Sequence, residues 1–112
     1  MAEMASASRN AFLVDTAKIP VSEETTAVCR AFGLDPLTSL SEGALLITCR
    51  PERVRFLERE FESARSPIIR IGAVRRGSGL WVTKGGIAPR KIRPPPDAYW
   101  AAYQAGVRSG LE

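Results

Sequence analysis

The chain has no histidine and only two cysteines. Without histidine, a serine or cysteine hydrolase triad lacks its usual base. Two cysteines with no Cys-x-x-Cys spacing do not make a typical zinc site. No apolar run approaches the ~20 residues needed to span a bilayer. The first ten residues have no apolar signal-peptide core, so the cytoplasm is the expected compartment and Met1–Asn10 is expected to be a frayed, flexible arm. Cys29 and Cys49 are expected to be small buried hydrophobes in a reducing compartment. A second absence is more pointed. From Ser63 to Pro96 there is no acidic residue, while Arg65, Arg70, Arg75, Arg76, Lys84, Arg90, Lys91 and Arg93 supply eight positive charges. The remaining chain is four charges negative. Such asymmetry fits an anionic partner or a complementary subunit, and equally a solvated basic face.

What remains is enough for one globular domain, expected over residues 11–112. At 112 residues, with 45% apolar and 25% charged content, the chain can hide a core without staples. Ala11–Asp15 reads as a short strand. Ser22 reads as the N-cap of a helix to about Phe32, with Glu23 and Glu24 at its positive end and Gly33 as a left-handed stop. Asp35-Pro36 starts a turn, with room for one helical turn through Ser39. Ala44–Cys49 is a continuous apolar run, the pattern of a strand covered on both faces.

Pro51 suits a first helical turn. Val54, Leu57, Phe61 and Ala64 then recur at spacings of three and four, with Arg53, Arg55, Glu58, Arg59, Glu60 and Glu62 on the other faces. Ile68–Arg76 reads as a strand, Gly77-Ser78-Gly79 as a tight turn and Leu80–Lys84 as the returning strand of a hairpin. Ile87–Arg93 is extended and basic. Pro94–Pro96 is stiff polyproline. Asp97 caps a last helix bearing Tyr99, Trp100, Tyr103 and Val107. Trp81 and this aromatic group are expected to pack in the core or at a subunit contact. The order of elements is that of an α+β fold: a small mixed or antiparallel sheet with helices on one face.

Between Ile19 and Ile47 the parts fall in a telling order. Ile19-Pro20-Val21 precedes Glu23-Glu24-Thr25, then Cys29 within the helix, then Gly33-Leu34-Asp35-Pro36-Leu37 and the Ser41-Glu42-Gly43 turn. Further on come Pro51-Glu52 and Ile71-Gly72-Ala73-Val74. From Val14 to Val82 this resembles the C-terminal domain of the aminoimidazole ribonucleotide (AIR) synthase superfamily, and within it the hydrogenase-maturation and AIR synthase-related branches.

The resemblance implies a layered α/β unit that closes the cleft of a two-domain, ATP-dependent enzyme. ATP and magnesium belong to the N-terminal domain, and this chain has neither its acidic cluster nor its phosphate-cradling glycine segment. No cofactor is expected on this chain alone. Nor does it end in the cysteine on which carbamoyl dehydration depends; it ends Ser109-Gly110-Leu111-Glu112. The expected role is a stand-alone domain, not catalytic by itself, offering an anion- or acceptor-binding face to a partner chain that carries the ATP site. A homo-oligomeric binding or regulatory module is the alternative.

Two candidate sites follow. The first is Ser41, Glu42 and Gly43, where the resemblance puts a cleft-side turn and the glycine lets backbone approach a ligand. The same turn would also serve simply to enter a strand. The second is the basic set Arg75, Arg76, Lys84, Arg90, Lys91 and Arg93, whose guanidinium forks suit a phosphate-bearing ligand. Nucleic acid is disfavoured: apart from Trp81, no aromatic residues are interleaved with these charges to form a stacking platform.

Overall fold

The computed structural model describes residues 1–39, 43–93 and 99–110. The chain separates into two compact units, one of residues 1–20 and 45–93, the other of residues 21–44 and 94–112.

The first unit is built on a four-stranded mixed sheet of β1 (Asn10–Asp15), β2 (Gly72–Arg76), β3 (Gly79–Thr83) and β4 (Arg90–Ile92), in the order β2-β1-β3-β4. β1 pairs antiparallel with β2 and parallel with β3, and β3 pairs antiparallel with β4. The fold is therefore α+β, as the pattern of elements predicts, but the sheet is not assembled by the expected hairpin. β2 and β3 do not pair; β1 lies between them.

Gly77 and Ser78 thus carry the chain across the end of β1 rather than around a tight turn. The crossing spans two strand spacings, about 10 Å. Only three Cα–Cα steps, each about 3.8 Å, are available from Arg76 to Gly79, so the link runs close over β1. A Cβ on Gly77 would stand 3.2 Å from the Ala11 Cβ. Gly77 and Gly79 have φ of 136° and 84°, which L side chains rarely adopt.

Strand alternation sorts the side chains. Phe12 and Val14 of β1, Leu80 and Val82 of β3 and Ile92 of β4 share one face through the register Phe12–Leu80, Val14–Val82 and Leu80–Ile92. This face carries the core of Phe12, Val14, Leu80 and Ala5, with Met4, Ile19 and Ile71 packed against it.

Ala5 belongs to a helix, α1 (Ala2–Ser8), and is only 1% exposed. The segment expected to be a flexible arm is helical because Ala2, Met4 and Ala5 have an apolar sheet face to cover, and Arg9 closes the helix in the left-handed conformation with φ 54°. Beyond β1, Asp15 Oδ1 accepts from the backbone N–H groups of Ala17 and Gly85, each at 3.1 Å, and Thr16 Oγ1 donates to the Thr83 carbonyl at 3.1 Å. These bonds tie the exit of β1 to the end of β3.

Pro51 opens a 3₁₀ turn, Pro51–Arg53, that leads into α3 (Val54–Ser63). The helix forms as its periodicity predicts, yet none of its residues is buried. The apolar run Ala44–Cys49 departs further from expectation: it joins no ladder, and Leu45 is 73% exposed. Both edges of β1 and of β3 are already taken, and the run pairs with neither outer strand. Cys49 is accordingly exposed rather than buried.

In the second unit, α2 (Glu23–Ala31) starts where Ser22 Oγ accepts from the Thr25 N–H at 3.1 Å. It stops at Gly33, whose φ of 64° lets the Leu34 N–H reach back to the Cys29 carbonyl at 2.8 Å. Cys29 is buried. Asp35 Oδ1 accepts from the Leu37 N–H at 2.9 Å, and the Asp35 carbonyl accepts from the Thr38 N–H, giving the single turn expected there. α4 (Tyr99–Gly110) closes the chain. Trp100 and Tyr103 meet edge to face at 6.2 Å, and both are exposed, so of the two places expected for them, a core or a subunit contact, they do not occupy the first. The polyproline segment and the Asp97 cap lie outside the described residues.

Candidate anion site

The second face of the sheet is polar at one end. Ala11 and Leu13 of β1, Arg75 of β2, Trp81 of β3 and Lys91 of β4 share it, through the register Ala11–Arg75, Leu13–Trp81 and Trp81–Lys91. With Arg76 and the Gly77-Ser78 crossing they line a cleft of about 270 Å³. Its floor is apolar and its rim carries three cations.

Lys91 is the best-positioned of the three. Its ammonium donates to Ser78 Oγ at 3.2 Å and stands 6.0 Å from the centroid of the Trp81 ring. Trp81 is fixed in turn, because its indole N–H donates to the Ser78 carbonyl at 3.1 Å. Gly79 makes room for the lysine stem: a Cβ there would lie 2.5 Å from Lys91 Cε. Each part follows from the backbone. The short crossing brings Ser78 beside β3, and antiparallel pairing sets Lys91 opposite Trp81.

No carboxylate forms an ion pair with Arg75, Arg76 or Lys91 among the described residues. Three cations held near one another without a counter-charge repel, and an oxyanion relieves that repulsion. Arginine forks and a lysine point charge are the donors that phosphate and carboxylate groups take.

Three of the six basic residues singled out from the sequence therefore come together: Arg75, Arg76 and Lys91. The others do not line the cleft. Arg90 sits opposite Val82, so alternation turns it to the other face of β4. Lys84 follows the far end of β3, which is five residues long and so about 17 Å away along the strand. Arg93 lies beyond β4. Sequence reasoning missed Trp81, Ser78 and Gly79 as members of this site. The signal was there, in a Gly-Ser-Gly link between an arginine pair and a tryptophan, but it looked like a hairpin.

Of the other candidate, Ser41 and Glu42 lie outside the described residues. Gly43 is exposed with φ 81°, and a Cβ added to it meets nothing within 4 Å. A larger hollow of about 580 Å³ is lined by Arg55, Glu58, Arg59 and Glu62. All four belong to one exposed helix, so the hollow is open. No group of three His, Cys, Asp or Glu side chains among the described residues is placed to hold a metal ion. No helix among them is long and apolar enough to cross a membrane.

A mixed sheet with a packed apolar face and a basic cleft on the reverse defines an α+β domain with an anion-attracting surface. The family described as AIR synthase related protein, C-terminal domain, matches residues 1–84, and the chain belongs to it. The carbamoyl dehydratase HypE of Rhizobium leguminosarum bv. viciae is 44% identical over 50 residues, which is 45% of this chain and 14% of that protein. The crystal structure of a HypE–HypF complex contains a chain that superposes with a TM-score of 0.70 at 19% identity, over 83% of this chain and 31% of that one. This second likeness is one of fold. The chain thus spans only a minor part of the relatives it matches.

Proposed function

We propose that this chain is the acceptor-side domain of an ATP-dependent AIR synthase-related assembly. By itself it carries no complete reaction centre, and its Arg75–Arg76–Lys91 cleft holds a phosphate- or carboxylate-bearing ligand for a partner that supplies the nucleotide site. The observation that carries this reading is the cleft itself, three cations around an apolar floor with Lys91 braced by Trp81 and Ser78. Family membership supports the division of labour, and a neighbour solved as a two-protein complex is consistent with a protein partner.

ATP and magnesium are the groups the family implies. The chain offers donors for a phosphate oxygen but no described cluster of carboxylates for the metal. The metal therefore does not fit the described residues. The chain's own work is to bind and orient an anion: two guanidinium groups and one ammonium neutralise it, and the apolar floor of Ala11 and Leu13 limits water beneath it.

A thermal-shift series with phosphate, sulfate, ADP and ATP tests the reading. A ligand that binds the folded chain stabilises it by RT ln(1 + [L]/Kd). Phosphate is expected to raise the midpoint, and Lys91→Met to abolish the rise. An unchanged midpoint at phosphate concentrations up to tens of millimolar would remove the anion site. Turnover of ATP by the purified chain alone would remove the division of labour.

A further inference from the structure

Strand β2 has one edge in the sheet and one edge open. It pairs with β1, and no strand among the described residues lies on its other side. The Asp15 N–H donates to the Ile71 carbonyl at 2.9 Å. Hydrogen-bonded pairs alternate along an antiparallel ladder, so Ala73 and Arg75 also turn their backbone groups to β1. Gly72, Val74 and Arg76 therefore turn theirs outward, where no backbone group or side chain among the described residues takes them up. All three are exposed.

The charge along this edge has one sign. Arg70 precedes the strand and Arg75 and Arg76 end it, all exposed and, among the described residues, without an ion pair. An edge strand that carries like charges resists pairing with its own copy. No acidic residue stands between Ser63 and Pro96, so two β2 edges would bring only cations together, whatever their register. The unpaired run Ala44–Cys49 has no charge and would leave the same cations uncompensated. The two sides of β2 also differ. Val74 sits opposite Phe12, on the core face, and is 42% exposed, whereas Arg75 sits opposite Ala11, on the cleft face.

We propose that the outer edge of β2 takes up an extended acidic segment of a protein partner as a further strand, with its acidic side chains toward Arg75 and its apolar ones beside Val74. In strand addition the main-chain hydrogen bonds supply affinity and alternate side chains supply specificity. Here the open backbone groups of Gly72, Val74 and Arg76 supply the first, and the arginines and Val74 the second. The backbone groups also separate this surface from a plain basic patch: a nucleic acid would meet the arginines and leave those groups unused. The edge is distinct from the anion cleft where it matters for a test. Lys91 belongs to β4, three strand spacings or about 14 Å from β2. Binding depends on salt, because the paired charges are exposed.

The probe is a labelled peptide of about seven residues, long enough to span a five-residue strand, in which glutamate and valine alternate. Fluorescence anisotropy with the whole chain is expected to show binding that weakens with salt, and a peptide with lysine in place of glutamate is expected to bind at least about tenfold more weakly. Val74→Pro removes an outward N–H and no bond to β1, so it should abolish peptide binding and leave the phosphate response intact. Lys91→Met should do the reverse, keeping peptide binding within about twofold. A second set of peptides needs no change to the protein. Alternate residues of an extended peptide turn their N–H groups to the same side, so methylating the valine amides alone, or the glutamate amides alone, blocks one edge of the peptide. One methylated peptide is expected to lose binding and the other to keep it. The proposal is overturned by a peptide that does not bind at low salt, by equal binding of the lysine peptide, or by two methylated peptides that behave alike. It is also overturned by a short thymidine oligonucleotide that binds this edge more tightly than the peptide, or by a self-associated chain whose dimer the peptide does not displace.

Discussion

The ammonium of Lys91 stands over the Trp81 ring at 6.0 Å while it donates to the hydroxyl of Ser78. Two strands and one crossing meet in that arrangement. The ring and the hydroxyl restrict a side chain that otherwise carries about 2 kcal/mol of rotamer freedom, so an anion arriving at the cleft meets a charge already in place. Replacing Trp81 with Leu keeps an apolar filler and removes the ring. The loss of a cation–π contact worth about 0.5–1 kcal/mol is expected to weaken phosphate binding two- to fivefold, read as a smaller thermal shift at fixed phosphate.

Gly79→Ala reaches the same lysine from below. The added methyl meets Lys91 Cε and the residue must hold φ at 84°, so Lys91 is pushed off the ring and the strand start is strained. Strain at such a position costs on the order of 1–3 kcal/mol. Both phosphate response and midpoint should therefore fall, whereas Trp81→Leu should affect mainly the first. Calorimetry of the two variants with and without phosphate separates the effects.

Gly72→Ala should be more damaging to the sheet than any change in the cleft. A Cβ at Gly72 would stand 2.0 Å from the Leu13 carbonyl oxygen, inside the β1–β2 ladder. Backbone atoms on both sides cannot yield as a flexible side chain would. A loss of about 3 kcal/mol, the upper end of overpacking costs, is expected in denaturant unfolding. Wild-type stability in this variant would mean that β2 does not pair as described.

Removal of residues 1–8 tests whether the N-terminal segment is part of the core. α1 covers Phe12, Val14 and Leu80 through Ala5 and the partly buried Ala2 and Met4. The truncated chain is expected to unfold earlier and to bind a hydrophobic dye. A milder probe is Ala5→Leu, whose overpacking should cost about 1–3 kcal/mol; a true flexible arm would tolerate either change.

The start of α2 carries a pH effect. The backbone N–H of Glu24 itself, then the Ser22 hydroxyl, hold the Glu24 carboxyl below its usual range, against an opposing effect of desolvation. A carboxylate depressed in the folded state binds fewer protons there than in the unfolded chain. Its contribution is thus present above the ordinary carboxylate range and lost as pH falls through the depressed folded value. Ser22→Ala should move the Glu24 titration, followed by NMR, back toward the ordinary value and cost the helix about 1 kcal/mol. An unmoved titration would show that the hydroxyl does not act on it.

Much of the local structure was legible. Ser22 caps α2, Gly33 ends it, Asp35 makes its turn and Pro51 opens the path to α3, because each depends on a residue's own dihedrals or on a hydrogen bond a few residues away. The cation set of the site was also visible as a chain segment without acid. Its division into Arg75, Arg76 and Lys91 around one cleft and Lys84, Arg90 and Arg93 elsewhere was not, because that depends on which strands are neighbours and on where the Gly77-Ser78 crossing runs.

By itself the sequence determined the α+β class, the helix ends and the family resemblance, since caps, periodicity and motif order act over a few residues. Tertiary structure alone decided that β1 lies between β2 and β3, that the Gly77-Ser78 link is a crossing, and that Ala44–Cys49 remains outside the ladders. The physical reason is that a strand has two edges and any apolar strand can fill either. The choice among edges is made by what else the sheet must bury, here α1 through Ala5, and that competition has no signature in a local run of residues.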